Sequence, residues 1–81
     1  MRALITEKFA EQLASAPGDV QRAFARQFPH LLRDLRYPGL HAKKYDEARN
    51  LWQARLTGSW RFYFHIEGQT YILETLIPHP K

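Results

Sequence analysis

Apolar positions follow one rhythm through the first forty residues and another from Asn50 onward. "RALI" near the start suits a short strand. Thr6 then stands where a hydroxyl caps a helix, and in "EKFAEQLASA" Phe9 and Leu13 share one face at i, i+4 spacing. "APGD" interrupts that helix, and Asp19 is the expected N-cap of a second one. There Val20, Phe24, Phe28, Leu31, Leu32 and Leu35 form an apolar stripe of helical period. Pro29 falls inside the stripe and is expected to kink the helix or begin a new turn, because it has no amide hydrogen and crowds the preceding turn. "YPG" at 37–39 ends the helical half. Beyond Asn50 the period becomes two: Trp52, Ala54 and Leu56, then Trp60, Phe62, Phe64 and Ile66, alternate with polar or smaller neighbours. A third strand runs from Thr70 to Ile77 and stops at Pro78 and Pro80. Helices first and strands second predict an α+β fold in a single domain over residues 1–81.

The alternation also predicts register, because residues paired across an antiparallel ladder share a face. A three-residue loop, Thr57-Gly58-Ser59, sets Leu56 opposite Trp60 and Ala54 opposite Phe62. It also sets Gln53 opposite Tyr63 and Arg55 opposite Arg61, a like-charged pair that would ordinarily destabilise a sheet. For the second hairpin, Gly68-Gln69 suits a type II′ turn and pairs Ile66 with Tyr71, Phe64 with Leu73, His65 with Ile72 and Tyr63 with Glu74. One sheet face is then apolar, and the other carries Gln53, Arg55, Arg61, Tyr63, His65 and Glu74. In this register Pro78 lies opposite Ser59, and the tail "IPHPK" brings His79 and Lys81 beside the arginines.

Composition adds a sign to this face. The net charge is +4 over 81 residues, which favours an anionic partner. A domain this short buries only about 60 % of its unfolded surface, so a stabilising partner is expected. There is no cysteine, which excludes disulfides and cysteine-ligated zinc and fits a reducing compartment. Charges at Glu7, Lys8 and Glu11 break up the N-terminal segment, unlike a signal peptide, and no run approaches a membrane span. These features predict a soluble, cytoplasmic protein with no membrane partner. The four histidines, at 30, 41, 65 and 79, match no compact zinc spacing, so no metal site and no cofactor are expected.

Taken in order, "LHAKKYDEARNLWQARLTGSWRFYF" followed by "YILETLIPHPK" resembles the RelE/ParE superfamily of bacterial type II toxins, over essentially the whole chain. The resemblance implies a short strand and two helices packed on a curled antiparallel sheet, and a toxin neutralised by a cognate antitoxin. RelE-like members of that superfamily cut mRNA, mostly on the ribosome, without a metal. ParE-like members instead inhibit DNA gyrase. By resemblance, Arg61 matches the arginine that contacts the scissile phosphate, Arg55 matches a basic position on the preceding strand, and His79 resembles a C-terminal catalytic histidine. Gln53 stands where some members carry lysine; other members place an essential tyrosine or phenylalanine beyond that histidine, and neither Pro80 nor Lys81 is aromatic.

Metal-free RNA cleavage needs a base for the 2′-hydroxyl, cations for the charge developing on phosphorus, and an acid for the leaving 5′-oxygen. The guanidinium forks of Arg55 and Arg61 suit phosphate oxygens, unless one of them pairs with Glu74. His79 is the first acid–base candidate and His41 the second, since histidine titrates close to neutral pH. Lys43 and Lys44 in the basic loop, with Lys81, are candidates for RNA backbone contact, and Tyr63 for stacking on a base. His65 reads as structural, and His30 has no evident partner. The expected activity is therefore a toxin acting as an mRNA endoribonuclease that represses translation. The alternatives are a gyrase-inhibiting toxin and a non-catalytic RNA- or ribosome-binding module.

Overall fold

In the computed structural model, which describes residues 1–79, strand β1 (Arg2–Ile5) leads into helices α1 (Glu7–Ser15) and α2 (Gly18–Arg33). A short 3-10 turn (Pro38–Leu40) then starts a run of four strands: β2 (Lys43–Asp46), β3 (Leu51–Arg55), β4 (Trp60–Glu67) and β5 (Thr70–Pro78). The sheet order is β1-β5-β4-β3-β2. The fold is α+β as expected. The sheet is mixed, because β1 joins the antiparallel β2–β5 meander in parallel with β5.

Thr6 caps α1 by accepting the Phe9 amide at 3.2 Å, and its hydroxyl donates to the Leu73 carbonyl at 2.7 Å. One side chain thus starts the helix and ties it to the sheet. Beyond the four paired residues of β1, Gln12 Oε1 accepts the Leu76 amide at 2.8 Å, so α1 covers the rest of this side of β5. Helix α2 begins two residues earlier than expected. Pro17 is its N-cap, and Asp19 lies in the first turn, where its charge still complements the helix dipole. Pro29 does not start a new helix: α2 runs through it. Its position is exposed, so solvent can take up the Ala25 carbonyl that Pro29 cannot bond.

The core lies between the helices and one sheet face. Phe9, Val20, Phe24 and Leu31 from the helices meet Ala54, Phe62, Phe64, Leu73 and Leu76 from the sheet, all nearly inaccessible. Phe62 meets Phe9 and Phe24 edge-on, with ring centroids 6.2 and 5.9 Å away. Among the described residues, no helix is long and apolar enough to cross a membrane.

The β3–β4 ladder has the expected register, from Gln53 opposite Tyr63 to Arg55 opposite Arg61. The Leu56 amide donates to the Trp60 carbonyl at 3.1 Å, which closes the three-residue loop. Gly68 has φ +59, the positive first position that a type II′ turn requires. From that turn the β4–β5 pairs run as expected to Phe64 opposite Leu73, and there the expectation fails. A β-bulge lies between Tyr63 and Phe64, so Thr75 rather than Glu74 faces Tyr63, and Pro78 faces Trp60 rather than Ser59. The reason is apolar: Leu73 and Leu76 both enter the core, and an odd spacing permits that only if one extra residue bulges. Glu74 and Thr75 consequently both point to the outer face.

Candidate functional site

Arg55, Arg61 and Gln53 occupy the outer face of β3 and β4, away from the helices, as the period-two pattern requires. Here the sheet forms an open pocket of about 440 Å³ lined by His41, Ala42, Lys43, Gln53, Arg55, Arg61 and His79. Three chain segments converge on it. The 3-10 turn ends on His41 in a left-handed conformation (φ 47), which swings the chain from the helical layer into β2 and delivers His41 and Lys43 to the rim. The β3–β4 hairpin supplies the arginines. At the C-terminal side, the His79 amide donates to the Ser59 carbonyl at 2.6 Å, so the tail extends the β4–β5 ladder past Pro78 and sets His79 beside the hairpin turn.

The facing arginines are not equivalent. Arg61 is buried and turned back on its own hairpin: its Nη1 donates to the carbonyls of Thr57 at 2.7 Å, Trp60 at 3.0 Å and Gly58 at 3.4 Å. Those oxygens offset part of its charge, which is how the ladder tolerates Arg55 directly opposite. Arg55 is exposed. Neither arginine is ion-paired with a carboxylate among the described residues, and Glu74 is engaged elsewhere. Lysine, two arginines and two histidines around one cavity give it cationic and hydrogen-bonding groups of the kind that attract an anion. The two histidines add proton donors and acceptors. Among the described residues, no three side chains of the types His, Cys, Asp and Glu come together as metal ligands.

The other candidates separate from this pocket. Lys44 and its neighbours are in strand β2, not in a loop as expected, and alternation turns Lys44 away from Lys43. Its Nζ reaches Asn50 Oδ1 at 2.8 Å and Glu47 at 3.7 Å and lies 5.1 Å from the Trp52 ring centroid, all contacts at the sheet edge. Tyr63 is buried, and its hydroxyl accepts from Gln53 Nε2 at 2.9 Å. The rest of its ring faces a second depression further along the sheet. Lys81 lies outside the described residues. His30, for which the sequence offered no partner, stacks on Tyr37 at 3.9 Å between centroids.

His65, expected to be structural, lies between two carboxylates. Its Nδ1 lies 2.6 Å from Glu74 Oε2 and its Nε2 lies 3.3 Å from Glu67 Oε1. The hydrogen bond with Glu74 raises its pKa above 6.5, partial burial opposes this, and Glu67 adds to the rise. The residue that sequence reasoning missed is Tyr45 on β2, 59 % exposed and edge-on to Tyr63 at 5.1 Å. "KKYD" carried a signal for it, since Lys43 and Tyr45 share a face if the segment is extended.

Comparison with solved structures identifies the architecture. The chain superposes on the RelB-RelE antitoxin-toxin complex from Methanococcus jannaschii with a TM-score of 0.79 and 19% identity, over 93% of this chain and 88% of that one. For the YoeB/ParE toxin from Agrobacterium tumefaciens the TM-score is 0.80 at 13% identity, covering 99% and 100%. For the archaeal RelE-RelB complex from Pyrococcus horikoshii it is 0.72 at 23% identity, covering 95% and 92%. No protein-family model and no curated protein matches by sequence. The chain therefore has the fold seen in these RelE and YoeB/ParE toxin structures.

Proposed function

We propose that this RelE/ParE-fold chain is the toxin of a toxin–antitoxin pair and acts as a metal-independent mRNA endoribonuclease. The observation that carries this reading is the single pocket in which Arg55, Arg61, Lys43, His41 and His79 meet, with no carboxylate side chain among the described lining residues. Such a pocket attracts a phosphodiester and repels nothing on it. Arg61, held by the hairpin carbonyls through Nη1, presents Nε and Nη2 in a fixed direction. Arg55 and Lys43 close on the phosphate from the strand beside it and from the sheet edge. Preorganised donors of this kind stabilise the charge that grows on the non-bridging oxygens in the transition state.

In the reaction, one histidine removes the proton of the ribose 2′-hydroxyl and the 2′-oxygen attacks phosphorus. The bond to the 5′-oxygen breaks, and the second histidine protonates that oxygen. The products are a 2′,3′-cyclic phosphate and a 5′-hydroxyl, and no outside reactant is consumed. His79 and His41, both on the pocket rim, supply the two proton-transfer groups. The partners are mRNA, engaged on the ribosome, and a cognate antitoxin. Solved neighbours of the fold include RelB-RelE complexes. Met1, Leu4 and Ile5, exposed on or beside the edge strand β1, give such a partner apolar surface to cover.

The test is transcript integrity in cells expressing the chain, with Arg61→Ala as control. Cleaved transcripts that become intact in the variant support the reading. Growth arrest with intact transcripts would sink it, and an accompanying DNA-damage response would move the target to gyrase.

A further inference from the structure

The second depression, about 210 Å³, lies on the same outer face, and the ribonuclease chemistry makes no use of it. Its wall is aromatic, formed by Tyr45 and Tyr63, and Leu51 and Ile77 give it an apolar floor. The two tyrosine rings are T-shaped, with an interplanar angle of 71°. Tyr63 is fixed by its hydrogen bond from Gln53, which lines the first pocket, so one 2.9 Å contact joins the two depressions. Along β4, Tyr63 is two residues from Arg61, or about 7 Å. A base attached to a phosphate held by Arg61 reaches this wall.

The polar groups come from the bulge. Because it turns both Glu74 and Thr75 outward, a carboxylate and a hydroxyl border an otherwise aromatic hollow. Glu74 Oε2 is taken by His65, and Oε1 has no hydrogen-bond partner among the described residues. A carboxylate oxygen only accepts. It attracts the exocyclic amines of cytosine, adenine and guanine, whereas uracil offers one N–H set between two carbonyl oxygens that the carboxylate repels. Arg49 on the rim keeps the hollow compatible with a polyanion despite Glu74.

We propose that this depression is a nucleobase subsite that stacks one unpaired base on the exposed Tyr45 ring, with Tyr63 as the wall beside it, and, through Glu74, favours bases with an exocyclic amino group over uracil. The proposal deepens the RNA reading of the neighbouring pocket and rests on it. Stacking on an aromatic side chain tolerates any base, so discrimination falls to the carboxylate.

Titrating the full chain by ¹H–¹⁵N NMR with inorganic phosphate, cytidine 5′-monophosphate and uridine 5′-monophosphate tests it, since the two nucleotides differ only on the edge that Glu74 would read. Phosphate should shift amides around Arg55 and Arg61 alone. Cytidine monophosphate should also shift Tyr45 and Thr75 and bind about fivefold more tightly than uridine monophosphate. Tyr45→Ala should weaken both nucleotides by about tenfold and leave phosphate unchanged. Glu74→Gln should erase the difference between the nucleotides. Nucleotides that bind with the footprint and affinity of phosphate, or a Tyr45→Ala variant that binds them normally, would overturn the subsite and leave the phosphate site standing. Shifts at Tyr45 without any response at Arg61 would do the reverse.

Discussion

Arg61 works in two directions, inward to the hairpin carbonyls through Nη1 and outward to the pocket, whereas Arg55 opposite it works only outward. The two alanine variants should therefore differ in kind. Arg55→Ala should reduce cleavage by about 100-fold or more, while its unfolding free energy stays within about 0.5 kcal/mol of the parent. Arg61→Ala should lose cleavage as severely and also lose about 1 kcal/mol or more of stability, because part-buried carbonyls of the turn lose a charged donor. Cleavage assays and urea unfolding on the same preparations separate these outcomes. Equal stability in the two variants would mean that the turn does not depend on Arg61. The pairing itself was legible, because two strands with apolar faces leave one parity. The inequality was not: nothing in "QARLTGSWRFYF" says which arginine bends back onto the turn.

At the scale of elements, the β4–β5 hairpin is clamped near its turn by His65 between Glu67 and Glu74. Because the folded-state pKa of His65 is raised, protonated His65 stabilises the hairpin. That contribution is fully present below the unfolded value of about 6.5 and is lost as pH rises through the higher folded value. The urea midpoint should thus fall as pH rises above about 6.5, and His65→Gln should flatten that dependence. An unchanged slope in the variant would remove the clamp. The helices, the β3–β4 register and the turn at Gly68 follow from apolar period and turn chemistry alone. The bulge does not follow from strict alternation, yet Leu73 and Leu76 in "YILETLI" announce it, since two core residues three apart cannot share a face of a regular strand. Strand β2 was hidden because edge strands tolerate the lysines that made "AKKYD" look like a loop. Of the two outcomes expected at Pro29, a kink or a new turn, the unbroken helix leaves out the second.

For the molecule as a whole, the layers divide the labour. Helices and the inner sheet face hold the core, which frees the outer face to gather charge. Among the described residues, Arg55, Arg61 and Lys43 are the lysines and arginines that line the first pocket, and the proposed reading assigns phosphate contact to them. Binding of a non-cleavable 2′-O-methyl RNA should weaken with salt at a logarithmic slope of about −2, at roughly 0.7 per phosphate contact on single strands. Lys43→Ala should make that slope shallower by about 0.7, and Lys44→Ala should leave it alone. A slope indifferent to Lys43 would take the sheet edge out of the RNA path. Most of this surface could be foreseen as a polar face. Its division into two depressions could not, because it depends on Tyr63 being tethered by Gln53 and on where Glu74 lands.

The bulge also means that β5 carries one residue of slack. The chain from Leu76 onward keeps its facing because the extra residue is absorbed there, and not passed along to the tail. Removing Glu74 altogether should straighten the ladder, leave Leu76 opposite Phe62, and keep His79 beside Ser59. A one-residue deletion inside a strand, which normally turns every following side chain over, should here yield a folded protein that still cuts RNA. That protein should no longer distinguish cytosine from uracil.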